Sequence, residues 1–245
     1  LAVLTSLGLA RKPERLGVGT EYVYPIGDNP PDRGIIFVGR RVPAGYGWAF
    51  PTADGKLRVG VGVIQPDTDA SPRKLLDDVV NRPKLLKRLG LHLEGTPEVH
   101  SGILPSAPFE DRLVFGNVIR VGDSANFATP TVGEGIRHCI EYGRLLGEEL
   151  GKTLQTGSRR PLRRYERAVL RRMKRDYKWG FLINSRAAKY TPKDWNNSVR
   201  RMRLVEPEAL AALMRNELGW RKISRMMLMG ARQWWRHRGP GARRS

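Results

Sequence analysis

The sequence predicts an α/β chain, in an α+β arrangement over this stretch: an antiparallel sheet, then a strand–loop–helix unit, then a helical C-terminal region. Three observations predict it. Short runs of aromatic and β-branched residues alternate with Gly, Pro and Asp through the first 65 positions, the pattern of paired strands. An apolar run ends at Gly122-Asp123 and, after a loop, gives way to apolar residues at helical spacing. From Leu162 onward apolar residues recur every three or four positions among dense basic side chains, which is an amphipathic helical pattern.

Residues 20–24, 34–39, 45–50 and 57–64 are the strand candidates. Between the last two lies Thr52-Ala53-Asp54-Gly55, where Asp-Gly supplies the positive φ that a tight hairpin needs. A single helix is expected over residues 72–89, with Leu75, Leu76, Val79, Val80 and Leu86 as its apolar stripe. Residues 99–104 read as another strand, and residues 113–121 as a strand that delivers Gly122-Asp123. A helix over 133–150 follows, then a linker at 151–158, then helices near 162–185, 194–204, 206–218 and 220–235. This divides the chain into a sheet and helix (1–112), a strand–loop–helix (113–150) and a basic helical region (151–245).

Composition narrows the functional classes. The apolar and charged fractions, 40% and 28%, are those of a soluble globular protein rather than a disordered one. No apolar run approaches the ~20 residues that span a bilayer, and the first residues do not have the order of a secretory signal. One cysteine, Cys139, excludes an internal disulfide framework and fits a reducing, cytoplasmic setting. Residues 1–150 hold 18 basic and 18 acidic side chains, so the whole net charge of +20 lies in residues 151–245. A neutral part joined to a strongly basic one points to chemistry in the first and a polyanionic surface for the second.

The chemistry concentrates in residues 120–150, RVGDSANFATPTVGEGIRHCIEYGRLLGEEL. A carboxylate placed just after a strand, Asp123, can accept hydrogen bonds from sugar-like hydroxyls. Gly133 and Gly135 let backbone N–H groups approach a planar ring, and the helix that opens at Ile136 turns its positive end toward whatever lies there. A second signal is Pro43-Ala44-Gly45-Tyr46-Gly47-Trp48-Ala49-Phe50-Pro51. In a strand, Tyr46, Trp48 and Phe50 share one face while Gly47 and Ala49 share the other. Three rings in a row form an apolar wall, and the small residues allow close packing behind it.

GDSANFATPTVGEGI resembles the second flavin motif of the FAD-dependent oxidoreductases related to p-hydroxybenzoate hydroxylase. Within them it is most similar to the geranylgeranyl reductases, from whose pattern it departs at Asn126, often Gly, and at Val132, commonly Thr. The resemblance implies that Gly122 and Asp123 contact the ribityl or pyrophosphate part of FAD, and that Pro130, Val132, Gly133, Gly135 and Ile136 wrap the isoalloxazine edge. Tyr46, Trp48, Phe50 and Pro51 resemble the Y-x-W-x-F-P element of the same family, which implies that they line an isoprenoid cavity beside the flavin. It implies further that a dinucleotide-binding half of ~140 residues, the usual size of such a domain, stands upstream. Neither Gly17-Val18-Gly19 nor Gly60-Val61-Gly62 supplies its G-x-G-x-x-G turn.

Other candidates carry less. Cys139, one turn into a helix, reads as a buried small residue rather than a redox thiol. His92, His100, His138 and His237 have no metal-ligand spacing, and no catalytic residue is assigned. The expected activity is FAD-dependent reduction of isoprenoid double bonds, with NAD(P)H or ferredoxin as electron donor. A flavin-dependent monooxygenase or halogenase of the same superfamily, and a non-catalytic basic membrane- or nucleic-acid-binding protein, are the alternatives. The basic amphipathic helix around Leu162, Tyr165, Val169, Met173 and Tyr177, with Met226, Met227, Leu228, Met229, Trp234 and Trp235 beyond it, suits an anionic membrane surface. No nucleic-acid-binding signature accompanies the basic residues, so a nucleic-acid partner is not expected.

Overall fold

The computed structural model describes residues 2–9, 15–106, 112–203 and 205–215. The chain divides into two compact units: Ala10–Ala107 with Arg186–Trp195, and Leu1–Leu9, Pro108–Ser185 and Asn196–Ser245.

The sheet unit holds β1 (Leu16–Pro25), β2 (Ile35–Gly39), β3 (Val42–Pro51), β4 (Lys56–Gln65) and β5 (Glu98–Pro105). Their order is β2-β3-β4-β1-β5, and every pair is antiparallel. The Asp-Gly turn between β3 and β4 forms as expected, with Gly55 at φ 74° and Thr52 N–H donating to the Lys56 carbonyl at 2.9 Å. Alternation puts Tyr22, Tyr24, Ala49, Val59, Val61 and Val63 in the core.

That core is closed by α2 (Pro72–Val80), which starts at Ser71, whose hydroxyl accepts the Lys74 N–H. The expected single helix over 72–89 is broken: α3 (Pro83–Leu89) starts anew after Asn81 and Arg82. Pro83 has no N–H to continue the ladder and pushes the residue before it out of helical geometry; Arg82 is extended at φ −115°, ψ 92°. The apolar stripe survives the break, since Leu75, Leu76, Val80 and Leu86 all pack on the sheet core. Leu76 is fully buried, so Leu76→Ala should cost about 2–4 kcal/mol, read as a lower midpoint in urea unfolding.

Tyr22 ties this helix to the sheet through a hydrogen bond to Asp77. Burial, and then the Asp77 hydrogen bond and charge, push the Tyr22 phenol up to about 12. Because the folded state holds that proton more tightly than the unfolded chain does, stability should be complete below the ordinary tyrosine range near pH 10. It should fall as pH rises from about 10 toward 12, and Tyr22→Phe should flatten that part of a stability-against-pH curve.

The other unit begins with α1 (Ala2–Ser6) and continues where a strand was expected over 113–121. That segment is instead a hairpin of β6 (Val114–Phe115) and β7 (Val118–Ile119). Gly116, at φ 60°, makes the turn with Asn117, a two-residue hairpin pair. After it come a 3-10 turn at Gly122–Ala125 and four helices, α4 (Ile136–Thr156), α5 (Arg160–Ala187), α6 (Pro192–Met202) and α7 (Pro207–Met214).

Helix boundaries differ from the sequence reading. The helix expected from 133 starts at Ile136 because residues 130–135 are a loop. The expected linker at 151–158 is helical through Thr156, and only Gly157, left-handed at φ 66°, ends it. The last described helix runs over Pro207–Met214, and positions 216–218 of the one expected over 206–218 lie outside the described residues. The helix expected over 220–235, with its Met and Trp residues, lies outside the described residues. The core here joins Leu113, Ala125, Phe127 and Tyr142 to Tyr165, Val169, Met173 and Tyr177 of α5. Among the described residues no helix is long and apolar enough to cross a membrane.

Candidate functional site

The first part of the loop between β7 and α4 turns on two left-handed residues. Gly122 sits at φ 63° and Asn126 at φ 57°. Between them Asn126 N–H bonds the Asp123 carbonyl at 3.1 Å, and Phe127 N–H bonds the Gly122 carbonyl at 3.1 Å. A residue with a Cβ pays to stand left-handed, Asn less than most, so the departure from Gly at position 126 keeps the backbone path. The Asn126 side chain adds a tether: its Oδ1 accepts the Tyr177 hydroxyl of α5 at 2.8 Å in a buried setting. Arg120, 1% exposed, braces the same turn from below, its Nε donating to the Ser124 carbonyl at 2.5 Å, and its own carbonyl accepts the Tyr165 hydroxyl.

Asp123 points outward. It is exposed, and among the described residues its carboxylate takes part in no hydrogen bond or ion pair. Further on, the loop closes on itself: Thr129 N–H bonds the Glu134 carbonyl, Gly133 N–H bonds the Thr129 carbonyl, and Glu134 N–H bonds the Thr129 hydroxyl. Pro130 is buried, and Gly133 is exposed in a left-handed conformation at φ 72°. A Cβ on Gly135 would lie 3.3 Å from the Ala128 backbone. The N–H groups of Gly135 and Ile136 make no hydrogen bond among the described residues. At the positive end of this 21-residue helix the Glu134 carboxylate accepts the Arg137 N–H at 3.0 Å, while the two preceding N–H groups lie beside the glycines.

Ile136 is 77% exposed. With Glu134, Arg137, Ile140, Glu141 and Arg172 it lines an open concavity of about 640 Å³. Behind the helix start, His138 is buried and stacked on Tyr142. Burial and the neighbouring Arg137 charge hold its imidazole below the usual histidine range, which favours the neutral form. Cys139 is half-buried, its Sγ 3.3 Å from where a Cβ on Gly122 would stand. Burial first, and then the Asp123 and Glu134 charges, push its thiol up, which suits a packing residue and disfavours a thiolate.

In the sheet unit β3 alternates as the sequence predicts. Gly47 faces the core, where a Cβ would collide with the Phe37 ring at 2.0 Å. Tyr46 and Trp48 share the opposite face, their ring centroids 5.7 Å apart. Phe50 follows on that face, 38% exposed, and Pro51 closes the strand opposite Leu57. Sequence reasoning missed what lies under the rings. Tyr46 pairs with Gly62 and Trp48 with Gly60 in the β3–β4 register, and a Cβ on Gly60 would stand 2.2 Å from Trp48 Cζ2. Gly60, Gly62 and Gly19 form a trough in which the indole lies against bare backbone. The signal was a Gly-x-Gly at strand spacing, which no phosphate-binding turn explains.

The sequence-predicted residues thus fall into two sets. Gly122, Asp123, Pro130, Val132, Gly133, Gly135 and Ile136 belong to one loop and helix start, and Tyr46, Trp48, Phe50 and Pro51 to one strand of the other unit. Among the described residues no group of His, Cys, Asp and Glu is placed to hold a metal ion.

The aromatic face and its glycine trough fall within residues 18–90, which match the family model of the geranylgeranyl reductase catalytic domain. The chain is similar to digeranylgeranylglycerophospholipid reductase 1 of Methanopyrus kandleri, 34% identical over 118 residues that make up 46% of this chain and 30% of that protein. It is also similar to the menaquinone reductase of Mycobacterium tuberculosis, 34% identical over 108 residues, 43% of this chain and 26% of that protein. The chain spans about a third of the length of the curated relatives it matches.

Solved structures share the fold. A geranylgeranyl bacteriochlorophyll reductase-like protein from Thermoplasma acidophilum superposes with a TM-score of 0.63 at 20% identity, over 75% of this chain and 46% of that one. Klebsiella pneumoniae HpxO, complexed with FAD and uric acid, gives 0.59 at 21% identity over 83% and 53%.

Proposed function

We propose that this chain forms the substrate-binding sheet and the C-terminal flavin-contacting loop of an FAD-dependent reductase of isoprenoid double bonds, acting in membrane-lipid or prenyl-compound synthesis. The observation that carries the reading is the Trp48 indole laid over Gly60 and Gly62, with Tyr46 beside it, inside the reductase-matched span. A glycine trough lets the Trp48 indole pack against bare backbone beside the tilted Tyr46 ring and present an apolar surface, which suits an alkyl chain without hydrogen-bonding groups.

The 122–136 loop fits FAD. Asp123 offers a carboxylate unclaimed among the described residues to ribityl or ribose hydroxyls. Gly133 and Gly135 keep side chains away from a planar ring, and the Gly135 and Ile136 N–H groups at the positive helix end favour negative charge beside it. Bound FAD supplies hydride chemistry. The chain's own task is to hold an apolar alkene in place and exclude water. An electron donor such as NAD(P)H or ferredoxin completes the cycle, and an anionic membrane surface is the partner of the basic C-terminal region. The relatives, reductases of digeranylgeranylglycerophospholipid and of menaquinone, support the same substrate class.

The test is mass spectrometry of geranylgeranyl lipids incubated with the protein that bears this chain and a flavin reductant. Gains of two daltons per double bond are expected. Oxygen or halogen incorporation, with no two-dalton gain, would assign it instead to the monooxygenases or halogenases that share its fold.

A further inference from the structure

Helix α5 has a second side that the core does not use. Its buried stripe is Leu162, Tyr165, Val169, Met173 and Tyr177. On the side turned away from that stripe, Arg163, Arg164, Arg167, Arg171, Lys174 and Lys178 are exposed through the first five turns. Arg171 and Lys178 make no ion pair among the described residues. The helix then changes character. Trp179, Leu182 and Ile183, spaced three and four apart and so on one face, are 38%, 50% and 41% exposed.

Two large aliphatic side chains and an indole facing water within a turn and a half are costly for a free surface. They follow directly on a basic run. An exposed Trp beside aliphatics and flanked by Lys and Arg is the composition that enters the headgroup boundary of a bilayer, with cations on the lipid phosphates and apolar side chains below them. A nucleic acid would use the cations and stack on the Trp but would leave Leu182 and Ile183 in water.

We infer that the exposed basic side of α5 from Arg163 to Lys178, with the adjoining apolar patch of Trp179, Leu182 and Ile183 at its C-terminal end, is an interfacial docking surface for an anionic lipid membrane. Trp179, Leu182 and Ile183 insert, and the preceding Arg and Lys residues bind lipid phosphate. This deepens, and rests on, the reading of the substrate as a membrane-resident isoprenoid lipid, because a docked helix keeps the enzyme where that lipid is.

The experiment is co-sedimentation of the full protein with vesicles of phosphatidylcholine alone or mixed with phosphatidylglycerol, without substrate or reductant, at rising salt. Binding is expected only to the anionic vesicles and should weaken about tenfold or more as salt screens the cations. The L182D/I183D pair should lower the partition coefficient roughly tenfold, and R171E/K178E should abolish the salt dependence with most of the binding. Far-UV circular dichroism of each variant checks that the helix persists, which exposed positions should allow. Bromine-labelled lipid should quench part of the tryptophan emission, and W179F should remove that part.

Undiminished binding of both variants, or equal binding to neutral vesicles, would overturn the inference. So would preference for a single-stranded RNA competitor over anionic vesicles. Vesicle binding with no alkene reduction would sink the reductase reading and leave the docking surface standing. Reduction of detergent-dispersed lipid without vesicle binding would do the reverse.

Discussion

Asp123→Ala is expected to strip flavin from the protein that bears this chain, raising its dissociation constant about 100-fold, or close to 2.7 kcal/mol. The size follows from what the side chain offers. Its carboxylate is exposed and makes no hydrogen bond or ion pair among the described residues, so a bound polyhydroxyl chain would meet a charged acceptor with its capacity intact. Hydrogen bonds to a charged group are worth about 1.5–3 kcal/mol each. Asp123→Asn, which keeps an acceptor but loses the charge, should stand between, near tenfold. Fluorescence titration of the flavin-free protein reads all three. Equal affinity in parent and alanine variant would remove Asp123 from the cofactor site.

The second large effect is expected at Gly60. A methyl group there would stand 2.2 Å from Trp48 Cζ2, 2.4 Å from Cε2 and 2.9 Å from the Glu21 Cβ, so the indole must leave its trough. Gly60→Ala should lower kcat/KM on an isoprenoid substrate by roughly 100-fold, while near-UV circular dichroism reports a displaced tryptophan. Two neighbours set the scale. At Gly62 the nearest ring atom would be 3.4 Å from the new methyl, and at Gly102 nothing lies within 4 Å. Gly62→Ala should cost a few-fold and Gly102→Ala nothing. If all three behave alike, the aromatic face does not touch substrate.

Much of the sheet was legible because its signals are local. Alternation, and an Asp-Gly turn between two apolar runs, specify strands and their connection within a dozen residues. The helix over 72–89 was misread as one because its apolar stripe continues across Pro83, whose missing N–H decides the break while its neighbours' spacing says nothing. The hairpin at Gly116 was hidden for the opposite reason: a run of Val, Phe and Ile reads as one strand unless the Gly-Asn pair inside it is weighted. In the loop, Gly122, Gly133 and Gly135 were recognisable in order. That Asn126 stands left-handed and is held from α5 by Tyr177, 51 positions away, requires the tertiary fold. The trough under Trp48 needed the β3–β4 register, and register joins residues that the linear text keeps 12 apart.

That register also constrains which residue pairs can coexist. A Cβ at position 60 and an indole at position 48 occupy the same volume, so neither position varies freely. In related chains a side chain at 60 should be accompanied by a smaller residue at 48, and a tryptophan at 48 by glycine at 60. Substitutions at the two sites should therefore be non-additive, with Trp48→Leu removing the clash that Gly60→Ala creates. The width of the apolar surface is thus written jointly into two adjacent strands.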